Sequence, residues 1–394
     1  MTEYDFIIIG AGAAGLMLAD GLGKDPAFRD KSILLLDKDD KTRNDRTWCF
    51  WEEGAGPFDH ILHKQWPQIY FAGKKHQETY SISPYSYKMV RGIDFYQHYL
   101  EKIASYHNVS FKNEAVVESL NTKNVGVKIG TDKNWYFAKQ VFDSGWKLSD
   151  LNQLKRFPKY PILQQHFIGW FIKTKEQVFD PSRATFMDFS VAQKGNTRFM
   201  YVLPFSETYA LVEYTLFSGS VLSTKEYEEA IIEYMDTHYK EVKYEVVEKE
   251  RGSIPMTCLD FTELNYGHVY RIGTAGGWSK PSTGYTFNNT AKKTEELIAY
   301  LKTGNSLENF QKKNRFWYYD LLLLNILYRN NELGHSIFES LFQKRKPQLI
   351  FKFLDEETKW YEDIYIMMAP NPIPFVKSLG RHIFWAISGK KKWW

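Results

Sequence analysis

The chain has 394 residues, 43% hydrophobic and 25% charged, with a formal net charge of +4. That balance excludes a disordered chain, and it is too weakly basic to point to a nucleic-acid partner. Cys49 and Cys258 lie too far apart in sequence for a disulfide framework or a metal knuckle, so no metal site and a reducing, cytoplasmic compartment are expected.

In chain order, residues 5–9 are an apolar run that ends in Gly10-Ala-Gly-Ala-Ala-Gly15, after which Leu16, Leu18, Ala19 and Leu22 recur at helical spacing. A second apolar run, residues 33–36, stops at Asp37. This order predicts strand, tight turn, helix, strand, the βαβ unit of dinucleotide binding. No basic n-region or cleavage site precedes the first strand, so no signal peptide is expected. Residues 40–85 read as loops and short strands, followed by a helix over 95–103 with Asp94 as its cap and strands at 109–111, 125–129 and 135–137. From 167 to 217 alternating apolar segments predict an antiparallel sheet, covered by a helix over 225–239 that Ser223 or Thr224 caps. A strand at 269–272 leads into a second glycine-rich turn, a helix follows over about 288–302, and the chain beyond 306 is mainly helical.

Each glycine of the first turn has a separate task. Gly10 permits the tight turn, Gly12 lets backbone approach a pyrophosphate, Gly15 permits helix–strand contact, and the free N–H groups from Ala13 onward bind anionic oxygens. Asp37 is placed to accept hydrogen bonds from ribose hydroxyls. The late turn Gly273-Thr-Ala-Gly276 can face the remaining phosphate or a flavin ring, which favours FAD over NAD. The fold class expected is α/β: a glutathione-reductase-like FAD-binding Rossmann fold with an inserted antiparallel-sheet substrate domain and a helical C-terminal region. Residues 1–150 plus about 250–305 form the discontinuous FAD-binding domain, about 151–250 the sheet domain, and about 306–394 the helical region.

Three stretches narrow this further: Arg46-Thr-Trp-Cys-Phe-Trp51, then Tyr201-Val-Leu-Pro-Phe-Ser206 with Ala210-Leu-Val-Glu-Tyr-Thr215, and Gly273-Thr-Ala-Gly-Gly-Trp-Ser-Lys-Pro-Ser-Thr-Gly-Tyr285. With residues 351–375 they resemble the lycopene cyclases in order and spacing, over nearly the whole chain. The resemblance implies non-redox cyclisation of the ends of linear carotenes to β-rings, with reduced FAD, NAD(P)H as its reductant, and an acidic residue in a strand motif of aliphatic, acid, any, Thr. Glu213 occupies that place. Tyr214 stands where relatives often carry a second acid, so the resemblance implies no paired carboxylate from that position. A redox flavoenzyme of the same fold and a carotenoid carrier are the alternatives.

Strand alternation puts Tyr209, Leu211, Glu213 and Thr215 on one face, an acid among apolar neighbours, where desolvation favours the protonated form. The stretch Leu354-Asp-Glu-Glu-Thr358 also reads aliphatic, acid, acid, Thr, but its surroundings predict a helix with a solvated acidic face. Aromatics reach 17%, enough either to fill an ordinary core or to line a tunnel or interfacial belt. A carotene dissolves in lipid, so peripheral contact with the cytoplasmic side of a membrane is expected, near other carotenoid-pathway enzymes. No segment approaches the about 18 apolar residues a transmembrane helix requires. Phe375, Val376, Leu379, Ile383, Phe384 and Ile387 offer an apolar face, and Lys377, Arg381, Trp385, Lys390, Lys391, Lys392, Trp393 and Trp394 suit a headgroup layer.

Overall fold

The computed structural model describes residues 1–122, 125–146, 149–150 and 160–388. Strands are numbered along the chain. The first sheet runs β8 (Val109–Asn113), β2 (Ile33–Asp37), β1 (Thr2–Ile9), β11 (Trp135–Asp143), β10 (Gly126–Thr131) and β9 (Val116–Thr122), with β17 (Val269–Arg271) beside the end of β11. The pairings from β8 through β2, β1 and β11 to β17 are parallel, and those of β9, β10 and β11 are antiparallel. Ile33, Leu34, Leu35 and Leu36 are fully buried because this parallel centre is covered on both faces. On one face the helices Ala13–Lys24, Gly92–Ala104 and Phe287–Leu301 contribute Leu16, Leu22, Phe95 and Leu297 to the core. The middle helix starts at Gly92, with Asp94 in its first turn and Arg91 at the cap position, so Asp94 is not the cap expected from sequence. It still places an acid at the positive end of the helix.

The second sheet runs β16 (Tyr244–Met256), β12 (Leu163–Thr174), β15 (Tyr209–Ser218), β14 (Thr197–Ser206), β13 (Arg183–Asp188), β5 (Gln68–Ala72) and β6 (Gln77–Ser81). It is antiparallel except where β13 meets β5. Residues 68–81 therefore leave the N-terminal part of the chain to widen a sheet built mostly from residues 163–256. The helix Thr224–His238 lies across one face, with Tyr227, Ile231, Tyr234 and Met235 packed on Ile168, Trp170, Val202 and Val212. Ser223 caps it in a reciprocal box with Glu226. The opposite face, carrying Leu211 and Phe217, meets the C-terminal helices in the largest core cluster. A small third sheet, β3 (Thr47–Glu53), β7 (Tyr85–Arg91) and β4 (Lys64–Trp66), bridges the two larger ones.

The C-terminal part consists of the helices Arg315–Arg329, Gly334–Lys344, Pro347–Leu354, Trp360–Met367 and Pro372–Ser388. Among the described residues no helix is long and apolar enough to cross a membrane. The acidic run 355–357 is not a solvated helical face, contrary to expectation, because it lies in the turn between two helices. Asp355 accepts from Trp51 Nε1 at 2.7 Å, and Glu356 Oε1 lies 3.1 Å from Lys280 Nζ. Only Glu357 is exposed, paired with Lys292 at 2.7 Å.

Candidate functional site

The two glycine-rich turns, some 260 residues apart in sequence, touch. Gly10 has φ +92° and Gly273 φ +61°, both in the left-handed region that a side chain strains. A Cβ on Gly273 would sit 2.8 Å from the Cβ of Ala14, and one on Gly15 would sit 1.9 Å from the carbonyl oxygen of Gly10. Gly12, by contrast, faces open space, with nothing within 4 Å of where a Cβ would stand. It also caps the helix that starts at Ala13, with no side-chain hydrogen bond to the first N–H groups among the described residues. Asp37 ends β2 beside this turn, accepting from Ala11 N at 2.6 Å and pairing with Lys41 at 3.1 Å. Gly10, Gly12, Ala13, Gly15, Asp37 and Gly273 thus lie together around one cradle, open at Gly12. Thr274, Ala275 and Gly276 continue in a single tight turn, with Ala275 fully buried and the carbonyl of Gly276 accepting from Gln311 Nε2 at 3.0 Å.

Thr274 also lines a cavity that runs to the second sheet, where Glu213 stands with Tyr87, Tyr201, Leu203, Leu211 and Tyr285. Glu213 is 8% exposed, and its Oε1 accepts from Thr215 Oγ1 at 2.6 Å, its partner two residues along the same strand face. Burial, reinforced by the neighbouring charge of Glu250, pushes its carboxyl up to about 8, whereas the Thr215 hydrogen bond acts in the opposite sense. Among the candidates the sequence raised, Glu213 is the acid in this cavity. Asp355 opens instead onto a separate recess with Trp51 and Asn288.

Glu250 is a carboxylate that sequence reasoning passed over. It lies on β16, in the charged stretch Glu248-Lys-Glu-Arg251, which resembles an exposed edge strand. Gly169 of β12 is paired with Glu213 on one side and with Glu250 on the other. A glycine inside a strand signals close approach of neighbours, and that was the available clue.

A second cavity is almost wholly apolar. Its walls are Phe186 and Phe217 on the sheet side and Leu323, Phe338, Phe342 and Phe353 on the helical side, reaching Met367 and Phe375 on the two outermost helices. Tyr201, Thr283 and Tyr285 line both cavities. The aromatic excess thus lines a cavity as well as filling core. Outside it, Val376, Leu379, Ile383 and Ile387 form an exposed stripe at helical spacing, with Phe384 and, on the preceding helix, Trp360, Ile364 and Met368 also exposed. Trp385 is half-buried against Tyr160, so it does not stand with the outward residues. Lys390, Lys391, Lys392, Trp393 and Trp394 lie outside the described residues.

Comparison with solved structures places this architecture among flavoproteins. A geranylgeranyl bacteriochlorophyll reductase-like protein from Thermoplasma acidophilum superposes with a TM-score of 0.62 at 14% identity, covering 96% of this chain and 99% of that one. The flavin-dependent brominase Bmp2 gives 0.60 at 16% identity, covering 97% and 99%. The fold is therefore the FAD-binding Rossmann type, as expected from sequence. In sequence, a lycopene beta-cyclase of Pantoea ananas is 23% identical over 313 residues, 75% of this chain and 74% of that protein. A chromoplastic capsanthin/capsorubin synthase of Citrus sinensis is 25% identical over 319 residues, 73% of this chain but only 58% of the citrus protein. The family model described as lycopene cyclase protein matches residues 5–379, and the chain belongs to that family.

Proposed function

We propose that this chain is a flavin-dependent lycopene β-cyclase that closes the ψ-ends of linear carotenes into β-rings with no net redox change. The observation that carries this reading is Glu213, a buried carboxyl whose surroundings favour the protonated form, in a cavity that shares Tyr201, Thr283 and Tyr285 with an apolar one. An alkene is a very poor base, so proton availability alone is insufficient and the cation must be stabilised as it forms. Tyr87, Tyr201 and Tyr285 line the same cavity and supply cation–π attraction.

The cradle of Gly10, Gly12, Ala13, Gly15 and Asp37 fits the ADP half of FAD, and Gly273, Thr274, Ala275 and Gly276 fit its flavin end. Reduced FAD, when bound, supplies electron-rich density that favours the cation, with NAD(P)H as the source of electrons. On this reading residues 1–150 with about 250–305 hold the nucleotide and about 151–250 frame the substrate, with β5 and β6 added to that sheet. The region from about 306 onward meets the cytoplasmic face of a membrane through its exposed apolar stripe, on the helix that also contributes Phe375 to the apolar cavity.

The redox enzymes among the structural neighbours favour a second reading, reduction or oxygenation of a polyprenyl chain. Anaerobic incubation of the protein with FAD, dithionite and lycopene in liposomes separates the two by product mass. An isomer of lycopene carrying β-rings is expected. A product differing by two hydrogens, or one oxygen heavier in a parallel aerobic incubation with NADPH, overturns the cyclase reading.

A further inference from the structure

Ring closure adds one proton to the substrate and removes another, so a cyclase needs a base as well as an acid. Glu213 faces Glu250 across Gly169, because β12 runs between β15 and β16 and presents a glycine at the shared register position. A Cβ there would meet Glu250 Cγ at 3.2 Å, Glu213 Cβ at 3.4 Å and Leu211 Cδ1 at 2.8 Å, so the missing side chain leaves the two carboxylate-bearing chains room on one face. Both glutamates line the same cavity. Their surroundings differ. Glu213 has one neutral hydroxyl partner, whereas Glu250 accepts from Thr47 Oγ1 at 2.7 Å and feels the positive charges of Arg91 and Arg46.

We propose that Glu250 is the base of the reaction, receiving the proton that the cyclised cation loses, with Glu213 the acid on the other side of Gly169. This rests on the cyclase reading above. Glu213 O–H gives its proton to the terminal alkene, leaving a tertiary cation. The C5=C6 electron pair then forms the ring bond and moves the positive charge to C5. The C6–H proton passes to the Glu250 carboxylate, and that C–H pair becomes the ring double bond. Return of the proton from Glu250 to Glu213 resets the pair, and the balance is an isomerisation.

The charges around Glu250 come from several elements: Glu213 on β15, Glu248 and Arg251 on its own strand, Arg91 on β7, and Asp45 and Arg46 just before β3. Burial and Glu248 favour its neutral form, while Thr47, Arg91 and Arg46 favour the ion; Glu213 has the Thr215 hydroxyl but, among the described residues, no comparable cationic neighbour.

The test compares wild type, Glu250→Gln and Glu250→Asp, as full-length protein with FAD in lycopene-containing liposomes, reading turnover, bound flavin and the position of the ring double bond. Glu250→Gln is expected to lower kcat at least about 100-fold with KM within about threefold. Its residual product should have lost a proton from C4 or the C5 methyl, and Glu250→Asp should recover at least about tenfold. More than a third of wild-type turnover with β-rings only overturns the proposal. If Glu250→Gln fails to hold flavin, Thr47→Val decides, since it removes only the hydrogen bond favouring the ion. The acid limb of its pH–rate profile should move up by about half a unit or more, and an unmoved limb overturns the proposal. A wild type that makes no ring at all refutes the cyclase reading itself, an outcome distinct from either result.

Discussion

Replacing Glu213 with Gln tests the protonated acid without any assay of catalysis. The variant keeps the shape and an oxygen to accept from Thr215, but it cannot ionise. In the unfolded chain a glutamate releases its proton near 4.5, whereas in the fold Glu213 holds it to about 8. Between those values the folded state binds a proton that the unfolded state does not, so wild-type stability falls as pH rises through the window. Each tenfold in proton affinity is about 1.4 kcal/mol, which makes the full gap worth about 5 kcal/mol at most. Glu250 titrates over part of the same range in both proteins and cancels to first order. Glu213→Gln should therefore match wild type in urea unfolding at pH 4.5 and exceed it by about 3–5 kcal/mol at pH 8.5. An offset that stays constant between the two pH values refutes a buried, protonated Glu213.

Gly12→Val should leave the unfolding free energy of the apoprotein within about 0.5 kcal/mol of wild type, since no atom lies within 4 Å of the new Cβ, yet purify without flavin. Full flavin occupancy in that variant counts against the cradle. Val376→Glu with Ile383→Glu places charge on an exposed stripe; flotation with anionic phospholipid vesicles should fall at least about tenfold while Tm is unchanged. Equal flotation argues against this face as the membrane contact. Lys280→Met removes the buried cation 3.2 Å from Asp320 and 3.1 Å from Glu356, which should cost about 3–5 kcal/mol in urea unfolding. The loss should be larger at pH 8 than at pH 5, where the stranded carboxylates can take up protons; the reverse order contradicts a buried ion cluster.

What was legible in the sequence had a local cause. The first βαβ unit follows from an apolar run, a glycine pattern and helical spacing within 40 residues, and the capping box at Ser223 from a hydroxyl three positions before Glu226. Alternation in β15 places Leu211, Glu213 and Thr215 together on the face toward the cavity and the large core, as read. The rest depended on pairings between distant segments. Residues 68–81 join the second sheet through a parallel contact with β13, which no local pattern encodes. Asp355 and Glu356 look like solvated charge until Trp51 and Lys280, from elsewhere in the chain, arrive as partners. Glu250 was hidden for the same reason: it lies 37 positions from Glu213 in sequence, and only the register through Gly169 brings the two to one site.

On the proposed cyclase reading a carbocation forms beside Glu213, where it would react with any nucleophile it meets, and the cavity there holds several in principle. Burial, reinforced by the nearby Glu250, pushes the Cys49 thiol well up, so it offers no thiolate. Tyr87, Tyr201 and Tyr285 are pushed up chiefly by burial, so they present neutral rings and no phenolate. On that reading the desolvation that favours protonated Glu213 also keeps its neighbours unreactive, and the apolar cavity beyond Tyr201 and Tyr285 limits the water that could intercept the cation. A more polar wall would lower the Glu213 carboxyl and raise the nucleophilicity of Cys49 together. Acid strength in this site is thus limited by the condition that protects its intermediate, and the missing driving force has to come from the electron-rich surfaces facing the cation.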